Sequence, residues 1–224
     1  MAAKRTYGDP CGIARALDLL GERWALLVVR ELVLGPKRFT DLRAGLSNLS
    51  PDVLAQRLRD LERDGVVRRR KLPPPAGSRV YELTGWGREL EPILLALGRW
   101  GSRAPLPPGD AQLGVDAMVL ALRTQFDPSA AGGLSATCEL RLGEHHFRAR
   151  VGAGRLDLAR AGAEDAEDAD AIIETDPGTL AAVLWHGRRL ADARRAGAIR
   201  IDGSLPAVER FLRLFPPPAP AASG

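Results

Sequence analysis

The chain has 224 residues, 45% of them apolar and 27% charged, with 24 glycines, 17 prolines and two cysteines. That length fits one large or two modest domains, and the composition excludes a disordered, collagenous or disulfide-scaffold protein. No apolar run exceeds six residues, as at Trp24 to Val29, which excludes a bilayer-spanning helix of ~20 residues.

Met1 to Pro10 holds two basic residues but no signal-like apolar stretch, so a cytoplasmic protein without a membrane partner is expected. The formal net charge of +4 is unevenly spread: residues 1–108 carry 19 Lys and Arg against 12 Asp and Glu, residues 109–224 carry 13 against 16. A basic first half suits a polyanion; the acidic second half does not. Cys11 and Cys138 lie far apart, with no CxxC and no ligand cluster around either, so neither a structural zinc nor a disulfide framework is expected.

In chain order, Ile13, Ala16, Leu17 and Leu20 share one face of a first helix. Trp24, Leu27, Val28 and Leu32 do so on a second, which Gly35-Pro36 stops. Thr40 is placed to cap a short helix through Ala44 with Phe39 and Leu42 inward. A turn follows at Ser47 and Asn48. Ser50 caps the next helix, with Pro51 at its first position and Gly65 past its end. On that helix Leu54, Leu58 and Leu61 face one way, and Asp52, Gln56, Arg59 and Arg63 the other. Val66 to Lys71 and Arg79 to Thr84 read as a hairpin whose tip contains three prolines. Trp86 to Gly101 reads as a last amphipathic helix with Leu90, Ile93, Leu94, Leu97 and Trp100 apolar.

Three helices, a fourth of recognition type, a wing and a closing helix make a mostly-α winged helix-turn-helix. Such folds lay the second helix of the pair in the major groove and hold phosphates with flanking elements. Gln56 suits adenine, and Arg57 or Arg59 suits guanine. Lys37, Arg38 and Thr40 are placed for phosphates, and Arg68, Arg69, Arg70, Lys71 and Arg79 concentrate charge on the wing. For each arginine alone, a solvated face or an ion pair with Asp60, Glu62 or Asp64 is the competing reading. Ala104 to Gln112, with three prolines and a glycine, reads as a linker. The expected organisation is therefore multi-domain: residues 1–103, linker 104–112, a second domain at 113–217 and a frayed tail at 218–224.

Cys11 with Ala16-Leu17, Gly21-x-x-Trp24, Gly35-Pro36-x-Arg38-Phe39-x-x-Leu42, Leu49-Ser50-x-x-x-Leu54-x-Gln56-Arg57-Leu58 and Glu62-x-x-Gly65 resemble the HxlR family of bacterial winged-helix regulators over residues 7–103. The resemblance implies a homodimer on double-stranded operator DNA that regulates a neighbouring gene, with Ser50, Gln56 and Arg57 on or beside the reading helix. It also places Cys11 where some members sense oxidants or electrophiles. Without a charged neighbour to lower its pKa, Cys11 reads instead as a buried small apolar residue.

In the second half, Leu113 to Gln125 is helical. Ala136 to Leu142, His146 to Val151 and Arg155 to Ala159 alternate as a strand meander, and Ala171 to Glu174 is a further strand. Asp176-Pro177 starts a helix, Ala198 to Ile201 is a strand, and Ser204 caps a last helix through Phe215. The stretches Ile173-x-Thr175-Asp176 and Gly197-x-Ile199-x-Ile201-x-Gly203 are similar to the sterol carrier protein 2-like fold. That resemblance implies an α+β domain with helices over one sheet face, around a cavity for a small hydrophobic ligand. Leu180, Leu184, Trp185, Phe211, Leu214 and Phe215 would line it; the plain alternative is that they form core.

Catalytic patterns are sparse. No GxSxG, HExxH or phosphate loop occurs, and Glu164 to Asp170 reads as a solvated acidic loop. The expected protein is not an enzyme and binds neither metal nor cofactor. It is a dimeric regulator, in the repressor sense, on a pseudo-palindromic operator, its second half a ligand sensor or second dimer contact. A lipid carrier or interaction module that uses the winged helix to bind a partner is the alternative.

Overall fold

The computed structural model describes residues 6–73, 77–105, 113–162 and 169–221. The chain divides into two compact units, Met1–Leu94 and Leu95–Gly224. Most of the expected linker and most of the acidic loop lie outside the described residues.

The first unit opens with α1 (Gly12–Leu20) and α2 (Ala25–Val33). The buried stripe of α2 is Ala25, Val28, Val29 and Leu32, a run at spacings of three and four. Leu27, expected inward, falls about 100° off that stripe and is exposed. Trp24 does not enter the helix. It holds a left-handed backbone at φ 78°, which is uncommon for a bulky residue. Helix α3 (Phe39–Gly45) starts two residues earlier than expected, with Arg38 at the cap position in place of Thr40. The Asp41 carboxylate, three residues on, accepts the Arg38 N–H at 3.0 Å, which leaves Thr40 inside the first turn.

Helix α4 (Pro51–Arg63) begins as its sequence dictates. Ser50 Oγ accepts the Val53 N–H, and Leu54, Leu58 and Leu61 are buried against α2 and α3. Gly65 follows in the left-handed region at φ 76°. The chain then turns into β1 (Val67–Lys71), antiparallel to β2 (Arg79–Leu83) in the register Val67↔Leu83 through Lys71↔Arg79. Lys37 forms an antiparallel bridge with Tyr81, anchoring the wing to the turn before α3. The helix expected from Trp86 to Gly101 is two helices, α5 (Gly85–Arg88) and α6 (Leu90–Gly101). Pro92 is the cause: it has no N–H to donate to the Arg88 carbonyl, and its ring crowds that carbonyl.

The second unit is α+β. After α7 (Val115–Gln125), strands β3 (Ala136–Leu142), β4 (His145–Gly152) and β5 (Arg155–Arg160) form an antiparallel meander. β6 (Ala171–Thr175) joins parallel to β3, and β7 (Ile199–Gly203) completes the order β5-β4-β3-β6-β7. Helices α8 (Pro177–Trp185), α9 (Leu190–Arg195) and α10 (Leu205–Leu212) accompany it; α9 is absent from the sequence-based reading. Cys138, Leu140, Leu142, Phe147, Ala149, Val151 and Ile173 fill one sheet face with buried apolar side chains. The register puts Glu139, Arg141, His146, Arg148, Glu174 and Arg200 on the other. The segment expected to fray is tied back, with Arg103 Nε donating to the Ala219 carbonyl and Ala221 N–H to the Arg103 carbonyl.

Candidate nucleic-acid interface

Helix α4 buries its leucines, which fixes its opposite face outward. Asp52, Gln56, Arg59 and Arg63 are all exposed there. Gln56 and Arg59 are coupled: Arg59 Nη2 donates to Gln56 Oε1 at 2.6 Å, and Gln56 Nε2 donates to Asp60 Oδ1 at 2.9 Å. The pair is thus one linked amide–guanidinium unit in the middle of the helix's exposed face.

Arg57 differs from its neighbours. Its side chain is only 15% exposed and lies between Asp60 Oδ2 at 3.1 Å and Glu22 Oε2 at 3.4 Å. One helical position from Gln56 turns it toward the α1–α2 loop, away from the outward face of the helix. Arg57 ties that loop to α4 instead.

The wing's charges divide the same way. Glu82, buried on β2, accepts Arg68 Nε at 2.8 Å and Arg70 Nε at 3.0 Å. Burial alone would push the Glu82 carboxyl up, but the two guanidinium hydrogen bonds outweigh it and hold the carboxyl below its ordinary value. Arg69 pairs with Glu62 of α4 at 3.2 Å and lies over the Tyr81 ring at 5.3 Å. Lys71 and Arg79 pair with each other near the tip, and their side chains have no hydrogen-bond or ion-pair partner among the described residues.

Lys37 is likewise engaged within the unit. Its ammonium is mostly buried against Glu31 Oε2 at 2.6 Å, so it is spent inside the unit rather than offered to phosphate. Arg38 is exposed, Thr40 is exposed with its hydroxyl on Asp41, and Ser50 uses its hydroxyl as the α4 cap. Arg43, on the exposed side of α3, was missed by the sequence reading and has no partner among the described residues. Its signal was position, since it follows the buried Leu42 by one residue on a short helix. Among the described residues of α3, its cap, α4 and the wing, the cations without a carboxylate partner are therefore Arg38, Arg43, Arg59, Lys71 and Arg79.

Beside this face α1 contributes no buried residue, and Ile13 is 73% exposed. A largely apolar groove of about 560 Å³ runs between α1, α5 and the start of α6, lined by Leu19, Leu20, Trp86, Leu90 and Ile93. Ile93, Leu97 and Trp100 continue as an exposed stripe along α6. Leu94, on the same helix, packs against the core. Cys11 is exposed at the start of α1, contrary to the expectation of a buried residue, because the helix it precedes lies wholly on the surface. Cys138 is buried, and burial pushes its thiol up to about 12, which makes it unreactive.

In the second unit, Leu180, Phe211, Leu214 and Phe215 are buried; Leu184 and Trp185 are half-buried. Phe211 meets Phe215 edge-on at 5.1 Å, and Trp185 Nε1 donates to the Phe215 carbonyl at 3.2 Å. Phe211, Phe215 and Trp185 are thus in mutual contact through Phe215, as packed apolar side chains. No group of described residues could hold a metal ion, and no described helix is long and apolar enough to cross a membrane.

The HxlR-like helix-turn-helix family matches residues 19–106. An uncharacterized HTH-type transcriptional regulator, YvaP of Bacillus subtilis, is 41% identical over 88 residues, 39% of this chain and 82% of its own length. The HTH-type transcriptional regulator YodB of the same organism is 35% identical over 42% of this chain and 84% of its own. The solved reduced form of YodB matches at 33% identity and a TM-score of 0.39, over 46% of this chain and 100% of that one.

Proposed function

Because this chain belongs to the HxlR-like helix-turn-helix family of bacterial transcriptional regulators, we propose that it binds a pseudo-palindromic operator as a homodimer and represses the genes beside it. It is a DNA-binding regulator and not an enzyme. The observation that carries the finer reading is the sorting of cations. Arg68, Arg70 and Lys37 are neutralised by buried carboxylates, while Arg38, Arg43, Lys71 and Arg79 remain open around α4. In this reading Gln56 and Arg59 contact base edges, the open cations contact phosphates, and Ser50 and Asp52 lie at the groove-facing end of α4.

The exposed apolar surface of α1 and α6 supports the homodimer, since patches of that kind mark interfaces. A two-fold assembly then matches half-sites about 34–36 Å apart. The protein acts where its DNA is, in the cytoplasm. For the α+β unit we propose a sterol carrier protein 2-like fold that senses a hydrophobic molecule through the α8–α10 layer. A second dimer contact on its sheet and later helices is less well supported, because no large apolar side chain described after Trp100 is exposed.

A mobility-shift titration on the protein's own upstream DNA against random duplex tests the operator reading. Preferential binding at physiological salt is expected, and equal affinity for both duplexes rejects it. Loss of heparin retention in a Lys71→Glu, Arg79→Glu variant separates a DNA reader from an interaction module, for which elution would not change. A rise in melting temperature with one of a panel of fatty acids, sterols or aromatic metabolites would support the sensor role. An unmoved melt across the panel rejects it.

A further inference from the structure

Glu31 is only 2% exposed, yet it is charged and lies on α2. Its Oε1 accepts Arg30 Nη2 at 2.8 Å and its Oε2 accepts Lys37 Nζ at 2.6 Å. A carboxylate so placed loses its hydration, and well-packed apolar side chains are often as stable in such positions. What the ion pair supplies is geometry. Lys37 exchanges two backbone hydrogen bonds with Tyr81, Lys37 N to Tyr81 O at 3.0 Å and Tyr81 N to Lys37 O at 2.8 Å. The Tyr81 ring lies under Arg69, which reaches Glu62 on α4. The same carboxylate fills the space beside Gly45, at the end of α3, where any Cβ would overlap Oε2. One buried group thus touches the turn that pins the wing and the segment that leads into α4.

We propose that Glu31 is a positioning residue that sets the wing against the recognition helix, so that Lys71 and Arg79 reach phosphates while α4 reads bases. The proposal rests on the reading of the winged helix as a DNA reader. Removing the charge would release Lys37, let the bridge to Tyr81 drift and uncouple the wing without touching the bases.

The test is the salt dependence of binding by the full chain to a duplex carrying its own upstream region. Each phosphate contact contributes about 0.9 to the slope of log affinity against log salt. Lys71→Ala with Arg79→Ala should flatten the wild-type slope by up to about 1.8 on that basis. Glu31→Gln should produce the same flattening alone, and adding the two wing substitutions to it should change nothing further. A purely structural defect would lower the active fraction at every salt concentration and leave the slope alone. Gly45→Ala, which displaces the carboxylate without changing any charge, is the second variant and should flatten the slope too if Glu31→Gln does not fold. Variants that keep the wild-type slope and show additive wing effects overturn the proposal. A wild-type slope indifferent to Lys71 and Arg79 overturns the wing reading on which it stands, and the proposal with it.

Discussion

Two arginines two residues apart on one helix have opposite fates here, because that step rotates the side chain by about 200°. Arg57 is enclosed by Asp60 and Glu22, whereas Arg59 is exposed beside Gln56. Arg57→Ala should therefore cost stability, about 1–3 kcal/mol for a lost charged hydrogen bond, and weaken all DNA binding alike. Gln56→Ala should stay within about 0.5 kcal/mol in stability while losing ~1–3 kcal/mol of discrimination at one base pair. Chemical melts and competition with point-substituted operators separate the two. Glu82 adds a pH dependence. Its folded-state carboxyl lies below its ordinary 4.5, so its stabilising contribution is complete above that value and lost as pH falls through the folded-state value. Glu82→Gln should lower the urea midpoint at neutral pH and make its decline on acidification shallower. A decline as steep as that of the wild type contradicts this assignment.

Among the elements, the short helix α5 is held by space rather than by propensity. Gly87 is buried where any Cβ would overlap the Val66 carbonyl, so α5 can approach the root of the wing only with glycine there. Gly87→Ala would normally favour a helix. Here it should destabilise the protein, because backbone cannot move aside as a flexible side chain can. A melting temperature equal to or above wild type would show that α5 shifts freely. The split between α5 and α6 was legible at Pro92, but its consequence was not drawn from the pattern. Apolar periodicity runs unbroken through the break, from Trp86 to Leu90, Ile93 and Leu94. The missed α9 has the opposite cause: its six residues bury only Ala193 and carry no apolar stripe to detect.

On the scale of the molecule, apolar surface left uncovered by a single chain is the main evidence for assembly. Ile93 and Trp100 are 58% and 74% exposed, so Ile93→Glu with Trp100→Glu removes little from the core. That variant should keep the wild-type far-ultraviolet spectrum and sediment as a monomer at micromolar concentration. Its operator affinity should fall steeply, since two half-sites are then no longer bound together. A variant that remains dimeric would move the interface elsewhere.

The sequence by itself determined the helices and strands whose signals are local: the Ser50-Pro51 start of α4, its leucine face, the wing, and the β3–β4–β5 meander with its alternation. It also determined the family, through residues such as Gly35-Pro36 and Leu54-x-Gln56-Arg57-Leu58. Only the tertiary structure decided which charges are available. Whether Lys37, Arg57, Arg68 and Arg70 face DNA or a carboxylate depends on Glu31, Asp60 and Glu82, which lie on other turns or other elements and meet them only after folding. The exposure of Cys11 was decided the same way. An amphipathic helix shows in sequence that one of its faces is apolar, but not whether its own chain or a second copy covers that face.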